Sequence, residues 1–223
     1  MSRPEQSFKG LLPKTAFVMT RAQKISNQGP DPVEGAGLSF SSLEKLEIAY
    51  SSEVIESFSP GARMIAGEGN PGSAILFISE NASSADEANA RPFSGDVGAL
   101  LEKMIEAMGL KRQDVFLTSL FQHYFTGNAE KKAELIDASL PYFDNVIQIV
   151  QPKMVVLLGE RLARDLIGVE DDFARIHGNI YSLDGVSYLP TFHPAFLLEN
   201  PGAKKDAWED LKQVMKALGL KGK

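Results

Sequence analysis

Residues 75–95 read ILFISENASSADEANARPFSG. An apolar run that opens at Ala74 and closes at Ile78 gives way to Ser79, Glu80 and Asn81, then to a polar loop, then to an isolated Pro92-Phe93. Consecutive apolar residues bounded by turn formers suit a strand covered on both faces, as in a parallel sheet; a half-exposed strand would alternate. The strand is expected to end at the carboxylate and amide of Glu80 and Asn81. A helix follows from about Gly95 to Met108, with Val97, Leu100, Leu101, Met104, Ile105 and Met108 at helical spacing and Gly109 as its stop.

The same alternation recurs downstream. DVFLTSLF at 114–121 reads as a strand, and residues 129–150 as a long helix burying Leu135, Ile136, Leu140, Phe143, Val146, Ile147 and Val150. MVVLLG at 154–159 is the clearest buried strand, and ERLARDLIG after it is a short helix. IYSLDGVSYLPTF, weakly hairpin-like, leads into His193-Pro194, and a final helix covers about 205–218. Upstream, Ser41-Ser42 can cap a helix that continues to about Phe58 before SPGAR breaks it. Residues 1–40, with QGPDPVEGAG at 28–37, show little apolar periodicity and read as a loosely ordered N-terminal extension to a single domain at 41–223. Strand–helix alternation predicts an α/β fold with a mostly parallel sheet and helices on both faces.

Composition narrows the function. The 223 residues are 43% hydrophobic and 23% charged, as in a globular protein. No apolar run approaches the ~18 residues that a spanning helix needs, and MSRPEQSFKG lacks a signal-peptide core, so the expectation is a cytoplasmic protein without membrane contact. The net charge of −6 argues against nucleic-acid binding by bulk electrostatics while leaving room for a local basic face, such as Lys204 and Lys205. There is no cysteine, which removes thiol nucleophiles, disulfides and thiolate metal sites. With three histidines, His123, His177 and His193, a catalytic metal would have to lean on carboxylates, and none is expected.

In open α/β sheets, ligands sit beyond the carboxyl ends of the strands. Glu80-Asn81, Ser119, Gly159 and His193 each fall at or just past such an end, so four positions distant in sequence converge on one cleft. Singly, Glu80 can be a turn cap and His193 an ordinary loop histidine. Their joint placement favours a site.

The order GEGNPGSAILFISEN, RPFSGDVGALLEKMIEAMGL, DVFLTSL, PKMVVLLG and TFHPAFLLENP, followed by Lys205, Trp208 and Asp210, resembles the uracil-DNA glycosylase superfamily, most of all its family 4. The resemblance runs from about Gly67 to Val214. It implies a three-layer α/β/α sandwich with a central, mostly parallel four-stranded sheet, acting as a monomer. The implied activity is hydrolysis of the N-glycosidic bond of uracil or another deaminated base in DNA, after the base is flipped from the duplex.

Residue by residue, Glu80 matches the acidic residue that positions water and stabilises the sugar cation, and Asn81 is a second water-orienting candidate. Asp86 falls where the family often has a further loop carboxylate on the substrate side. Phe93 matches the aromatic on which the flipped base stacks. Ser119 stands where the family places a base-reading Asn; a hydroxyl cannot make an amide's paired contact. His193 matches the histidine that hydrogen-bonds the departing base. Leu197 matches the wedge inserted into the duplex, with Pro194, Lys204 and Lys205 on the same DNA side. Family 4 members usually hold an iron–sulfur cluster through four cysteines. The corresponding positions fall near Ser52 and Ile55 and at His123 and Ser139, so no cofactor is expected, and Tyr124 and Phe125 are candidates for filling the space. SENAS in place of the family's glycine–proline loop, Ser119, and Glu199 in place of an Arg favour the alternative, an impaired glycosylase fold that binds DNA, a nucleotide or a protein partner. Retention of Glu80, Phe93 and His193 favours catalysis; hydrolysis of a free nucleoside is a third reading.

Overall fold

The computed structural model describes residues 38–222. The expected extension falls mostly outside the described residues, at 1–37. Residues 38–40 are tied down: the Asn145 amide donates to the Leu38 carbonyl at 2.7 Å and accepts the Phe40 N–H at 3.1 Å.

The elements in order are α1 (Leu43–Tyr50), β1 (Glu68–Gly69), β2 (Ile75–Ala82), α2 (Ser84–Asn89), α3 (Gly95–Ala107), β3 (Phe116–Tyr124), α4 (Ala129–Val150), β4 (Met154–Leu158), α5 (Glu160–Ile167), α6 (Phe173–Ile176), β5 (Tyr181–Leu183), β6 (Val186–Thr191), α7 (Pro194–Glu199) and α8 (Lys204–Leu218). Helix α1 continues through a π-helical turn, Ser51–Ile55, to Phe58. Among the described residues no helix is long and apolar enough to cross a membrane.

The sheet has the order β1-β3-β2-β4-β6-β5. Its central four strands, β3, β2, β4 and β6, are parallel, as expected. Two short antiparallel edges extend the predicted four strands to six. The β5–β6 edge is closed by Asp184 and Gly185, whose φ of 49° and 81° meet the demand of a tight hairpin for two left-handed residues.

Alternate side chains of the apolar strands feed two cores. Leu76, Ile78, Val155 and Leu157 join Leu46, Tyr50, Leu135 and Phe143 on the α1/α4 side. Ile75, Phe77, Val156 and Leu158 join Leu101, Ile105, Leu211 and Val214 on the α3/α8 side. Hence the helix–sheet–helix layering, and hence near-continuous apolar strands.

Strand β2 does not stop at Glu80. It pairs with β3 through Asn81↔Phe121 and Ala82↔Tyr124, with a register irregularity between Asn81 and Ala82. The loop expected after it contains α2, whose Ser83 and Asp86 form a reciprocal capping box. Strand β3 is likewise displaced from 114–121 to Phe116–Tyr124, because Asp114 closes a short helical turn and Gln122 and His123 are buried as strand residues.

Candidate active site

Strands β3 and β4 lie on opposite sides of β2, so the chain reverses direction across the sheet between them. At the carboxyl ends of β2 and β4 this leaves a crevice. A cavity of about 450 Å³ opens there, lined by Glu80, Asn81, Gly159, Glu160, Arg161, Phe173, Phe192, His193 and Phe196, with Leu158 and Leu162 beneath.

Gly159 makes the turn from β4 into α5 with φ of 109°, a conformation that side-chain-bearing residues avoid. Its N–H donates to the Thr191 carbonyl at 2.8 Å, which joins the ends of β4 and β6. Two residues on, His193 caps α7: its Nδ1 accepts the Ala195 N–H at 3.1 Å. A nitrogen that accepts a backbone N–H carries no proton, so the ring's proton belongs on Nε2. Burial pushes the imidazole pKa down to about 4, against the opposing pull of Asp86. At neutral pH the residue is therefore an uncharged Nε2–H donor.

The corner that carries His193 is braced from behind. Thr191 Oγ1 donates to Asp210 Oδ2 at 2.6 Å, and His177 Nδ1 lies 3.0 Å from Asp210 Oδ1. Asp210 is buried, and desolvation raises its carboxyl pKa against the pull of Thr191 and His177. The His177 ring sits 4.8 Å from that of Phe192, which stacks on Phe196 at 5.7 Å and meets Phe173 edge-on at 5.2 Å. An aromatic wall thus stands beside His193.

Glu80 reaches the cavity from β2. One oxygen, Oε2, is held by Lys132 Nζ at 2.7 Å; the other, Oε1, is buried and has no partner. Asn81 is anchored: its Nδ2 donates to the Phe125 carbonyl at 2.9 Å and its Oδ1 accepts the Phe125 N–H at 3.2 Å. Each bond takes one N–H and one lone pair, so a second N–H and a second lone pair remain on an amide that also lines the cavity.

Three expectations change. Phe93, 5% exposed and with φ of 51°, packs into the α3-side core rather than among the cavity-lining residues. Gly98 permits this, since a Cβ there would collide with the Phe93 carbonyl. Asp86 is a structural anchor: Oδ2 accepts the Ser83 N–H at 2.7 Å and Oδ1 the Ser94 N–H at 2.6 Å, fixing the loop on both sides of Phe93. Ser119 is buried, its hydroxyl pairs with that of Ser79 at 2.8 Å, and it is not among the cavity-lining residues.

On α7, Leu197 is 1% exposed, whereas Phe196 and Leu198 are 45% and 41% exposed. The helix is only six residues long, and its buried face takes Pro194 and Leu197 inward, so the wedge expected at Leu197 is unavailable there. Lys204 and Lys205, in the first turn of α8, are exposed.

Lys132, Arg161, Phe173, Phe192 and Phe196 were not picked out from sequence. Arg161 had a signal, being two residues past Gly159 at a strand end. Phe192 and Phe196 flank His193 in TFHPAF.

The region corresponding to the family's iron–sulfur site is filled by protein. Tyr50 Oη lies 3.1 Å from Ser139 Oγ and accepts the Gln122 N–H at 3.3 Å. Tyr142 meets Tyr50 edge-on at 5.2 Å and donates to Glu53 at 2.6 Å, while His123 Nε2 lies 3.1 Å from Ser59 Oγ. Tyr50 and Tyr142, with Phe125, occupy the space; Tyr124 is only half-buried. Among the described residues no group of three or more His, Cys, Asp or Glu could hold a metal ion, and the chain has no thiolate to bind iron. These residues do not fit an iron–sulfur cluster.

Comparison with known proteins places the chain in a family. The sequence pattern of the uracil DNA glycosylase superfamily matches residues 66–212. A type-4 uracil-DNA glycosylase of Sulfurisphaera tokodaii is 32% identical over 189 residues, covering 78% of this chain and 83% of that protein. One from Saccharolobus solfataricus is 31% identical over 166 residues, 70% of this chain and 77% of its own length. A third, from Archaeoglobus fulgidus, is 25% identical over 165 residues, covering 70% and 83%. The chain belongs to the uracil DNA glycosylase superfamily.

Proposed function

We propose that this protein is a DNA glycosylase that hydrolyses the N-glycosidic bond of uracil or another deaminated base, with Glu80 and His193 as its catalytic pair. The observation that carries the reading is their joint presence in one cavity, one offering an unpartnered carboxylate oxygen and the other a neutral Nε2–H. Relatives named as uracil-DNA glycosylases support the same activity.

Breaking the bond between C1′ and the base nitrogen leaves its electron pair on the base and positive charge on the sugar. Catalysis must favour both charges. The Glu80 carboxylate, at the cavity wall, turns to face the cationic sugar once substrate is bound and orients a water, whose oxygen forms the new bond to C1′; the water's proton is released to solvent or to the departing base. His193 donates from Nε2 to a base oxygen that gains negative charge. A neutral donor suits this role, because the hydrogen bond strengthens as charge develops. Phe173, Phe192 and Phe196 supply apolar and stacking surface to a base that has left the helix. Leu198, exposed on the turn where Leu197 is buried, is the residue proposed to fill the gap in the duplex, and Lys204 and Lys205 to meet phosphates.

The alternative, binding without cleavage, is favoured by one observation: Ser119 is tied to Ser79 and presents no amide to a base. One experiment separates the two. Oligonucleotides carrying uracil, hypoxanthine or xanthine, single-stranded and mismatched, are incubated with protein and probed for alkali-labile sites. Cleavage that Glu80→Gln lowers sharply, to a small residual rate, supports the glycosylase; no cleavage at stoichiometric protein leaves the binding reading.

A further inference from the structure

We infer that Lys132 is a positioning residue of the site, one that pins Oε2 of Glu80 and so fixes the orientation of the carboxylate at the cavity wall. The inference rests on the proposed role of Glu80.

The sequence places Lys132 against local preference. It lies in the first turn of the 22-residue helix α4, behind the Asn128 cap, where the positive end of the helix dipole disfavours cations. Such a placement calls for a compensating anion, and Glu80 is that anion, 52 residues away in sequence and 2.7 Å away in space. Both side chains are largely withdrawn from water, Glu80 at 19% and Lys132 at 30% exposure, so the contact differs from a loose surface ion pair. A carboxylate drawn into a cleft needs a counter-charge and fixed hydrogen bonds.

The geometry of the pair is asymmetric. Lys132 engages one oxygen and leaves the second buried and unpartnered. Asn81, the next residue, is fastened to the Phe125 backbone, and α4 begins a few residues after Phe125. The backbone beneath Glu80 and the cation on its head are therefore held by the same β3–α4 segment. The 2.7 Å contact thus ties one end of the carboxylate to α4 and limits how far its head can move. Around it stand Arg161 and Glu160 from α5 and His193 from the β6–α7 corner. Arg161, a cation on the cavity wall, is paired with Asp165 at 2.9 Å; without Lys132, Glu80 would be drawn toward it and reoriented.

The test compares Lys132→Met, Lys132→Arg and the exposed neighbour Lys131→Met on the full-length protein, using the best substrate of the oligonucleotide assay. Lys132→Met should lower kcat by about 10- to 100-fold with KM changed by less than about 3-fold, since the lost interaction acts on the transition state. Lys132→Arg should recover most of the loss, and Lys131→Met should match wild type. In the Glu80→Gln background, Lys132→Met should cost less than about 2-fold more, as coupled residues require. A purely structural role would lower stability, spare the kcat/KM partition and show no coupling to Glu80. That pattern overturns the inference, as does a wild-type kcat in Lys132→Met. The contact is also read without activity: the side-chain carboxylate 13C resonance of Glu80 should shift in Lys132→Met and return in Lys132→Arg. An unmoved resonance overturns the inference whatever the activity. An inactive wild type with a responsive resonance instead places the failure in the glycosylase reading.

Discussion

Asn81 clasps the backbone of Phe125 with both ends of its amide, donating to the carbonyl at 2.9 Å and accepting the N–H at 3.2 Å. The clasp joins β2, at its register irregularity, to the first residue after β3, and satisfies both backbone groups of that residue. Asn81→Ala should therefore act first on stability. Leaving the nearly buried Phe125 groups unsatisfied costs about 1–3 kcal/mol, read as a lower urea midpoint at unchanged slope. Asn81→Asp should cost at least as much, because it sets a carboxylate oxygen against the Phe125 carbonyl. If Asn81→Ala abolished cleavage with stability intact, the amide would have a direct role in the chemistry after all.

Much of this architecture is legible in the sequence for physical reasons. MVVLL and ILFI are apolar on both faces because helices cover both faces, and His193-Pro194 marks a strand end because the proline starts α7. Less legible was whatever depends on phase over short distances. Six-residue α7 gives too few turns to decide from pattern alone which leucine of Phe196-Leu197-Leu198 points inward. The Ser83-x-x-Asp86 capping box was readable, yet the polar letters around it looked like loop. The Lys132–Glu80 pair has no local signal on the strand side; only the misplaced cation at the start of α4 hints at a distant partner.

Ser119 offers a second test. Its hydroxyl is satisfied by Ser79 at 2.8 Å in a buried setting. Ser119→Ala should cost about 1 kcal/mol, the net worth of one such bond, and leave the ranking of uracil, hypoxanthine and xanthine unchanged. A changed ranking in the oligonucleotide assay would show that Ser119 turns toward the base on binding.

The two leucines of α7 should behave oppositely. Leu197, 1% exposed, lies in the core, and Leu197→Ala should destabilise by about 2–5 kcal/mol. Leu198, 41% exposed, has little stability to lose. Leu198→Ala should leave the melting temperature within about 2 °C while weakening binding to damaged duplex more than to single strands, where there is no gap to fill. Equal losses on both substrates would remove Leu198 from the wedge role.

Acid should unfold the protein through its histidines before its carboxylates. Burial holds His123 and His193 down to about 4, below the ordinary value of 6.5. As pH falls through 6.5 the unfolded chain takes up protons that the folded chain refuses, so stability is full above that value and erodes toward pH 4. The slope is about 1.4 kcal/mol per pH unit for each histidine in that window. Glu68, lowered to about 2 chiefly by Arg91, with Arg112 adding to it, erodes stability only further down, between 4.5 and 2. His123 is fully buried with Nδ1 unpartnered, so nothing in the fold welcomes a second proton. Urea titrations at pH 7.5, 6.5, 5.5 and 4.5 should show this fall, and His123→Gln should remove about half of its slope. An unchanged slope in His123→Gln would mean that the folded protein opens locally to protonate His123, and that the acid sensitivity belongs to the corner holding His193.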